Sequence, residues 1–185
     1  RGARGGDGWR GVGAGGSLDG SPRSVRPVRD GVGLGGGGQG GTEAVLRAVG
    51  GVRRVEQGWI APAGDSGRES EAVIAHFDPA RVSLARLIDV HLHTHASTSQ
   101  HRLRNKYRSA IYVVSDAQAQ AAAQGLRDAQ GLFDQPVITQ VLHLGRSRPS
   151  PERYRNYYAS RPQAPFCQRY IAPKLRAVNQ RCRTQ

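Results

Sequence analysis

The stretch that decides the fold runs from residue 31 to residue 45 and reads GVGLGGGGQGGTEAV. Val32 and Leu34 alternate with glycine, which predicts a short strand. The run Gly35–Gly38 then predicts a tight turn, and residues 43–49 have the apolar spacing of a helix that the next glycine pair ends. A strand, a glycine turn and a short helix therefore open the folded part of the chain.

Strands and helices mix without strict alternation in the rest of the chain. The predicted strands are Val52–Ile60, Glu71–Phe77, Ala110–Val114 and Val137–Leu144. Helices are predicted after the capping residues Ser83 and Ser115 and at Ser150-Pro151-Glu152. This order favours an α+β fold, in which a mixed or antiparallel sheet carries packed helices, over a doubly wound parallel sheet.

Glycine is concentrated at the start of the chain, where 17 of the 25 glycines precede residue 42. Residues 1–30 offer little to bury, so they are predicted to form a disordered Gly/Arg tail before one domain over residues 31–185. The sequence also lacks methionine, which suggests a fragment or a start upstream of the true one.

The composition excludes several classes of protein. Two cysteines are too few for a miniprotein that is stabilised by several disulfides. No apolar run is long enough to cross a membrane, and no signal peptide is visible. A cytoplasmic monomer is the expectation.

The net charge of +13 comes mostly from residues 146–185, where ten basic residues face Glu152 alone. Such a segment leaves nucleic-acid binding open as an Arg-rich alternative. The basic residues are interspersed with aromatic ones that can either stack on bases or anchor a helix to the core. These are Tyr154, Tyr157, Tyr158, Phe166 and Tyr170. Because the N-terminal Arg/Gly stretch has only Trp9 for stacking, a solvated basic face is favoured over nucleic-acid binding.

A dinucleotide site is a second alternative. Residues 33–38 satisfy G-x-G-x-x-G between a strand and a helix, and Glu56 stands where a ribose-binding acid is expected. A run made of glycine matches any glycine pattern, however, and the helix that follows is short. The motif is therefore weak.

The segment Gly35-Gly36-Gly37, followed after four residues by Thr42-Glu43-Ala44-Val45, resembles the active-site segment of the type A peptide methionine sulfoxide reductases, Gly-Gly-Gly-Cys-His-Trp-Cys-Thr-Glu-Ala. Further segments match in the same order over residues 31–176. They are 50–52, 58–59, 71–73, 77–79, 91–95, 106–112, 165–167 and 171–174. The resemblance implies the α+β, ferredoxin-like sandwich of that family. It also implies reduction of methionine (S)-sulfoxide, free or in proteins, with thioredoxin or another dithiol as reductant and no bound cofactor.

Sulfoxide reduction needs a nucleophile for the sulfur and a proton donor for the oxygen. By the resemblance, Gly38 stands at the nucleophile position, Glu43 at the acid and Tyr107 at a tyrosine that hydrogen-bonds the oxygen. Gln39, Gly40 and Trp59 match substrate-binding positions, and Cys167 matches a resolving thiol. Arg102 stands near the position of a family Asp, so the contact that this Asp makes in the family is missing here.

The nucleophile is the main departure, because glycine has no side chain that could attack. Gly38, Gln39, Gly40 and Gly41 each differ from Cys-His-Trp-Cys by T-to-G changes, which points to a corrupted read or a decaying gene. We expect the chain as written to have lost the family activity, or to be a binding relic. Without the first sulfur, Cys167 is expected to be a small buried apolar residue and Cys182 an exposed thiol.

His91, His93 and His95 suggest a metal site, but alternate residues of a helix point about 200° apart and cannot converge on one ion. Capping of helix carbonyls is predicted instead, and no metal is expected. Glu71 is a further candidate to flank the pocket, whereas Glu69 is predicted to be solvated.

Overall fold

The computed structural model describes residues 31–64 and 68–183, so the predicted tail over residues 1–30 lies outside the described residues. Within these ranges the strands are β1 (Gly31–Gly35), β2 (Val52–Pro62), β3 (Ser70–Phe77), β4 (Ala110–Val113) and β5 (Gln140–Pro149). The α-helices are α1 (Gln39–Arg47), α2 (Leu84–Thr94), α3 (Asp116–Gln130), α4 (Tyr157–Ser160) and α5 (Ala172–Arg183). A π-helical turn, Cys167–Ile171, leads into α5.

The five strands form one mixed sheet in the order β1-β3-β2-β5-β4. All pairs are antiparallel except β4 with β5, and the sheet closes into a barrel because β4 also pairs with β1. Helices pack on the sheet, so the predicted α+β class is confirmed. Closure of the sheet is a feature that the sequence did not predict.

Two glycines of β1 allow the barrel to close. A Cβ atom on Gly33 would lie 2.8 Å from the Cβ of Tyr112, and one on Gly35 would lie 2.8 Å from the carbonyl oxygen of Arg108. These distances are shorter than any normal contact between such atoms, so β4 could not approach β1 if either position carried a side chain. The glycines that alternate with Val32 and Leu34 in the predicted strand therefore allow the sheet to close.

The core has two parts. A small cluster consists of Ile60, Ala72, Ile74, Ala110 and Tyr112. A larger cluster between the helices and the sheet includes Leu34, Val45, Leu46, Val73, Leu87, Ile88, Leu92, Ile111 and Val113. Burial of these side chains fixes α1 and α2 against the sheet. It therefore fixes the start of α1 over the end of β1.

The predicted caps are confirmed, since Ser83 Oγ accepts from the Arg86 N–H at 3.1 Å and Ser115 Oγ accepts from the Gln118 N–H at 3.1 Å. Three boundaries were wrong. Helix α1 begins at Gln39 and includes two glycines, β5 runs from Gln140 to Pro149 instead of Val137 to Leu144, and the predicted helix at Ser150 is a 3-10 turn over Glu152–Tyr154. Pairing with β2 extends the polar end of β5, which its composition alone did not indicate.

Among the described residues, no helix has both the length and the apolar character that a membrane crossing requires.

Candidate active site

In the glycine run, positions 35 and 36 cannot carry a side chain, whereas positions 37 and 38 can. Gly36 has φ +142°, and a Cβ atom there would overlap the ring of His95. At Gly37 a Cβ would lie 3.6 Å from the Cβ of His95, an ordinary contact, and at Gly38 it would meet nothing within 4 Å. The turn therefore needs glycine at 36 and has free space for a side chain at 38.

Gly38 is the N-cap residue of α1. Its φ of −61° and ψ of 133° suit any L-residue, and its carbonyl accepts from the Gly41 N–H at 3.1 Å and the Thr42 N–H at 3.2 Å. The residue is exposed. A thiol here would sit at a helix N-terminus, which favours the thiolate form. The position predicted for the nucleophile thus has room and a suitable backbone for a side chain, and its glycine supplies none.

The next three positions, 39–41, are the first residues of α1 and pack against other segments of the chain. Gln39, predicted to bind substrate, is buried, and its side-chain oxygen accepts from Ser150 Oγ at 2.6 Å. Ser150 directly follows β5, so this hydrogen bond ties the start of α1 to the end of that strand. A Cβ on Gly40 would lie 3.8 Å from the Cβ of Tyr157, and one on Gly41 would lie 3.9 Å from atoms of Ile171 and Lys174. Both positions accept at least a methyl group without strain.

Replacing Gly41 by alanine is expected to raise the free energy of unfolding by about 0.5–1 kcal/mol, because glycine is a poor residue inside a helix. Gly36→Ala is expected to lower it by more than that, since its φ is positive and His95 fills the space. Urea unfolding curves of the two variants measure both effects. A loss of stability in Gly41→Ala would contradict the assignment of position 41 to a site that admits a side chain.

Glu71 and Tyr107 lie near the glycine turn, and Trp59 lies opposite Glu71 in the sheet. Trp59 of β2 pairs directly with Glu71 of β3, so both side chains lie on one face of the sheet. Gln57, two residues before Trp59 and on that same face, contacts Glu43 of α1, so this is the face that α1 covers. Sequence analysis named Glu71 only as a flanking residue because the register that places it opposite Trp59 is a tertiary feature.

Tyr107 is tied to this cluster through its neighbour. Lys106 Nζ lies 3.4 Å from Glu71 Oε1 and 5.1 Å from the centre of the Tyr107 ring. Its pKa is raised, first by a hydrogen bond to the Tyr107 side chain and then by the charge of Glu71. The Glu71 N–H also donates to the Lys106 carbonyl at 2.9 Å. The phenol, the ammonium and the carboxylate therefore form one polar group.

Arg104 fixes the distance between the turn and Tyr107. Its Nη1 donates to the carbonyls of Gly36 and Tyr107, each at 3.1 Å, and its other donors bind the carbonyls of Ala96 and Ser99. One planar guanidinium thus holds four backbone groups. Sequence analysis missed this positioning residue, which lies in a 3-10 turn without a distinctive motif.

Glu43, the predicted acid, has a different environment. Its side chain is 2% exposed, and its oxygens accept from Arg47 Nε at 3.1 Å, from the Asn156 N–H at 3.0 Å and from Gln57 Nε2. All three neighbours are donors. The carboxylate therefore links α1 to β2 and to the segment before α4.

The three histidines of α2 point in two directions. His95 Nδ1 donates to the His91 carbonyl in the last turn of α2 at 2.6 Å, as the predicted capping requires. His93 does not cap the helix, because its Nδ1 lies 2.9 Å from the Asp89 carbonyl inside the helix and 3.0 Å from the Asp89 carboxylate. His91 is buried and its Nε2 donates to the Gly35 carbonyl at 2.9 Å. The rings of His91 and His95 stack at 4.2 Å beneath the turn. Within the described part of the chain, no group of three or more His, Cys, Asp or Glu is placed to hold a metal ion.

Acid is expected to destabilise the fold through this histidine pair. Burial lowers the pKa of His91 to about 4 and that of His95 well below its ordinary 6.5, and nearby Lys174 adds to both shifts. Below pH 6.5 the unfolded chain takes up protons that the folded chain does not accept, so the free energy of unfolding falls as the pH decreases from about 6.5 to about 4. His91 alone accounts for a loss of about 2 kcal/mol between pH 7 and pH 5.

Urea unfolding at a series of pH values measures this loss. His91→Gln is expected to flatten the slope, whereas His143→Gln, which changes a half-exposed histidine on β5, should leave it unchanged. Equal slopes in the two variants would contradict the assignment of the acid sensitivity to the pair.

Cys167 is buried in the π-helical turn, and burial raises the pKa of its thiol. Ile171, buried one turn later, lies beside Gly41, so this face packs on α1. The interpretation of Cys167 as a buried apolar residue is confirmed. The side chain of Cys182 lies outside the described residues.

Two other interpretations of the sequence need correction. Glu69 is not simply solvated, because Arg146 Nε lies 3.4 Å and Arg148 Nη2 2.9 Å from its oxygens, and the hydrogen bond from Arg148 lowers its pKa. The dinucleotide alternative is wrong, because both neighbours of β1 are antiparallel whereas the dinucleotide motif needs a parallel βαβ unit. The proposed ribose ligand, Glu56, binds Arg54 and His76 instead.

Comparison with known proteins identifies relatives of this chain. The chain is 32% identical over 156 residues to the peptide methionine sulfoxide reductase MsrA of Chromobacterium violaceum, which covers 75% of this chain and 88% of that protein. It is 31% identical to the enzyme of the same name from Erwinia tasmaniensis, over 76% of this chain and 87% of that one.

Solved structures with the same fold include reduced Mxr1 of Saccharomyces cerevisiae, with a TM-score of 0.67, 18% identity and coverage of 78% of this chain and 94% of that chain. Methionine sulfoxide reductase A of Corynebacterium diphtheriae has a TM-score of 0.61 and 21% identity over 72% of this chain and 75% of that chain. The family model for peptide methionine sulfoxide reductase matches residues 30–185. This chain therefore belongs to the peptide methionine sulfoxide reductase family.

Proposed function

We propose that this chain keeps the site for reduction of methionine (S)-sulfoxide but lacks the nucleophile, so that it has no turnover as written. The observation that carries the proposal is the open N-cap position at Gly38, at the end of a turn that Arg104 ties to Tyr107. Trp59, Glu71 and Tyr107 supply an aromatic ring, a carboxylate and a phenol that are linked by the strand register and by Lys106. Each of these groups has a use in the reaction. We propose that the chain acts as a monomer.

The reaction assigns a role to each group. A thiolate at position 38 attacks the sulfoxide sulfur, the oxygen takes up a proton, and the products are the thioether of methionine and a sulfenic acid on the protein. Tyr107 donates a hydrogen bond to the oxygen, and Trp59 forms a wall for the methyl group. A dithiol then reduces the sulfenic acid. We propose thioredoxin for this step, since the similar Mxr1 has been solved in complex with Trx2.

Two carboxylates compete for the role of proton donor. Glu43 matches the family acid in the sequence comparison, but its oxygens already accept three hydrogen bonds from α1, β2 and Asn156. Glu71 faces Trp59 and shares Lys106 with Tyr107. We therefore assign proton donation to Glu71, with 14% of its side chain exposed, and assign to Glu43 the positioning of α1.

Cys167 has to become exposed before it can act as a resolving thiol. It is fully buried where the C-terminal segment packs on α1. Direct reduction of the sulfenic acid by the external dithiol needs no such movement, so we propose the direct route.

The test uses separated (S)- and (R)-diastereomers of a dabsyl methionine sulfoxide with dithiothreitol. The unaltered chain is expected to form no methionine from either. Gly38→Cys is expected to reduce the (S)-diastereomer alone, as the resemblance to the family implies. Turnover by the unaltered chain would contradict the proposal, and so would an inert but folded Gly38→Cys chain.

A further inference from the structure

Three aromatic rings form a row on the C-terminal segment. The ring centres of Tyr157 and Phe166 are 6.3 Å apart, and those of Phe166 and Tyr170 are 5.2 Å apart. Phe166 is 49% and Tyr170 is 50% exposed, so these residues do not anchor the segment to the core as sequence analysis allowed. Large exposed aromatic residues in a contiguous group are characteristic of binding surfaces.

Each end of this aromatic row carries an arginine. The guanidinium carbon of Arg161 lies 5.9 Å from the centre of the Tyr157 ring, and that of Arg169 lies 5.4 Å from the Tyr170 ring. A guanidinium over an aromatic face keeps its N–H donors available to a carboxylate. Among the ion pairs of the described residues, neither arginine is paired with a carboxylate, unlike Arg146 and Arg148.

The aromatic row begins at the active site. The Cβ of Tyr157 lies 3.8 Å from the position of a Cβ on Gly40, two residues after Gly38. The segment that carries the row, residues 146–185, contains ten basic residues and one acidic one, so its net charge is +9. A polypeptide that places one side chain at position 38 is therefore within reach of the aromatic row.

We propose that the aromatic row with Arg161 and Arg169 is a docking surface for acidic polypeptide segments. This proposal rests on the proposed function: the docking surface selects protein-bound methionine sulfoxide that is flanked by Asp or Glu. Each arginine pairs with a carboxylate of the segment through two parallel hydrogen bonds, while the rings contact its apolar parts. The substrate class is then an oxidised, acidic protein segment instead of the free amino acid.

The geometry favours a polypeptide over a single-stranded nucleic acid. Bases bind by stacking on open aromatic faces. Here the outer two rings already face guanidinium groups, and the rings of Tyr157 and Tyr170 both contact the central Phe166. A carboxylate needs only the edges of the two guanidinium groups, which leaves the row undisturbed.

Binding can be measured on the unaltered chain, independently of catalysis. Fluorescein-labelled heptapeptides with a central methionine sulfoxide, flanked by Glu, Gln or Lys, are titrated in about 50 mM salt and followed by anisotropy. The Glu peptide is expected to bind about 10-fold more tightly than the Gln peptide, and the Lys peptide more weakly than either. Equal affinities for the three peptides would overturn the proposal.

Matched variants locate the surface. Arg161→Gln with Arg169→Gln is expected to abolish the preference for the Glu peptide, whereas Arg127→Gln removes the same kind of charge from α3 and should preserve it. Retention of the preference in the double variant would overturn the proposal. So would an oligonucleotide of equal charge that binds the unaltered chain more tightly than the Glu peptide and displaces it, which would assign the surface to nucleic acid.

Kinetics in the Gly38→Cys background separate the two proposals. Loss of both arginines is expected to raise KM for the Glu peptide about 10-fold with kcat unchanged, and to leave the free sulfoxide unaffected. If the Gly38→Cys chain reduces all substrates without preference, docking fails and the function stands. If that chain is inert but Glu-peptide binding still depends on the two arginines, the function fails and docking stands.

Discussion

Gly38→Cys is expected to raise the rate of methionine sulfoxide reduction with dithiothreitol by at least about 10³-fold over the unaltered chain. Removing the nucleophile from an enzyme commonly costs about 10⁶-fold in kcat, so restoring it should recover a large part of that factor. The space at position 38 is open, and the N-terminus of α1 favours the thiolate. Full recovery is not expected, because Gly40 leaves the pocket without the tryptophan of the family.

The matched control is Gly37→Cys, which places the same thiol one residue earlier. Its Cβ has ordinary contact with His95, so the variant is expected to fold, but the sulfur lies before the N-cap residue. Its rate should stay near that of the unaltered chain. Equal rates for the two cysteine variants would show a general thiol effect and contradict the assignment of position 38.

In the Gly38→Cys chain, Glu71→Gln is expected to lower kcat by about 10²–10³-fold, because a general acid contributes a factor in this range. Gln keeps the size of the side chain and can still contact Lys106, but it cannot supply a proton. Initial rates at saturating (S)-sulfoxide measure the effect. A decrease of less than about 3-fold would remove Glu71 from the mechanism.

Glu43→Gln in the same background separates a positioning residue from a catalytic one. The buried carboxylate would lose its ion pair with Arg47, so the expected result is a decrease of about 1–3 kcal/mol in the free energy of unfolding. The variant should keep most of its kcat where it is folded. A stable Glu43→Gln chain with a 10²-fold lower kcat would instead support the acid that the sequence comparison indicates.

Local signals predicted much of the fold. Ser83 and Ser115 begin helices because their hydroxyl groups accept from N–H groups three residues later, which depends only on neighbouring residues. The strand Glu71–Phe77 was predicted to within one residue from its alternation. The resemblance to the family supplied positions 38, 59 and 107, which a single pattern of glycines could not provide.

The remaining features depend on contacts between distant residues. Helix α1 starts at Gln39 in spite of Gly40 and Gly41, because its buried face packs on β2 and β3 and outweighs the poor helix propensity of glycine. The pairing of Trp59 with Glu71 is a matter of register, and the three donors around Glu43 come from three separate segments. The assignment of the proton donor therefore changed only when the structure placed both carboxylates.

The central claim is that a thiol at position 38 is enough to restore the chemical step. The most direct test is the amount of methionine that a Gly38→Cys, Cys167→Ser, Cys182→Ser chain releases from (S)-sulfoxide without any reductant. With one thiol in the chain, the account predicts one equivalent of methionine per chain and a sulfenic acid in place of that thiol. A folded chain that releases no methionine and keeps its thiol would contradict it.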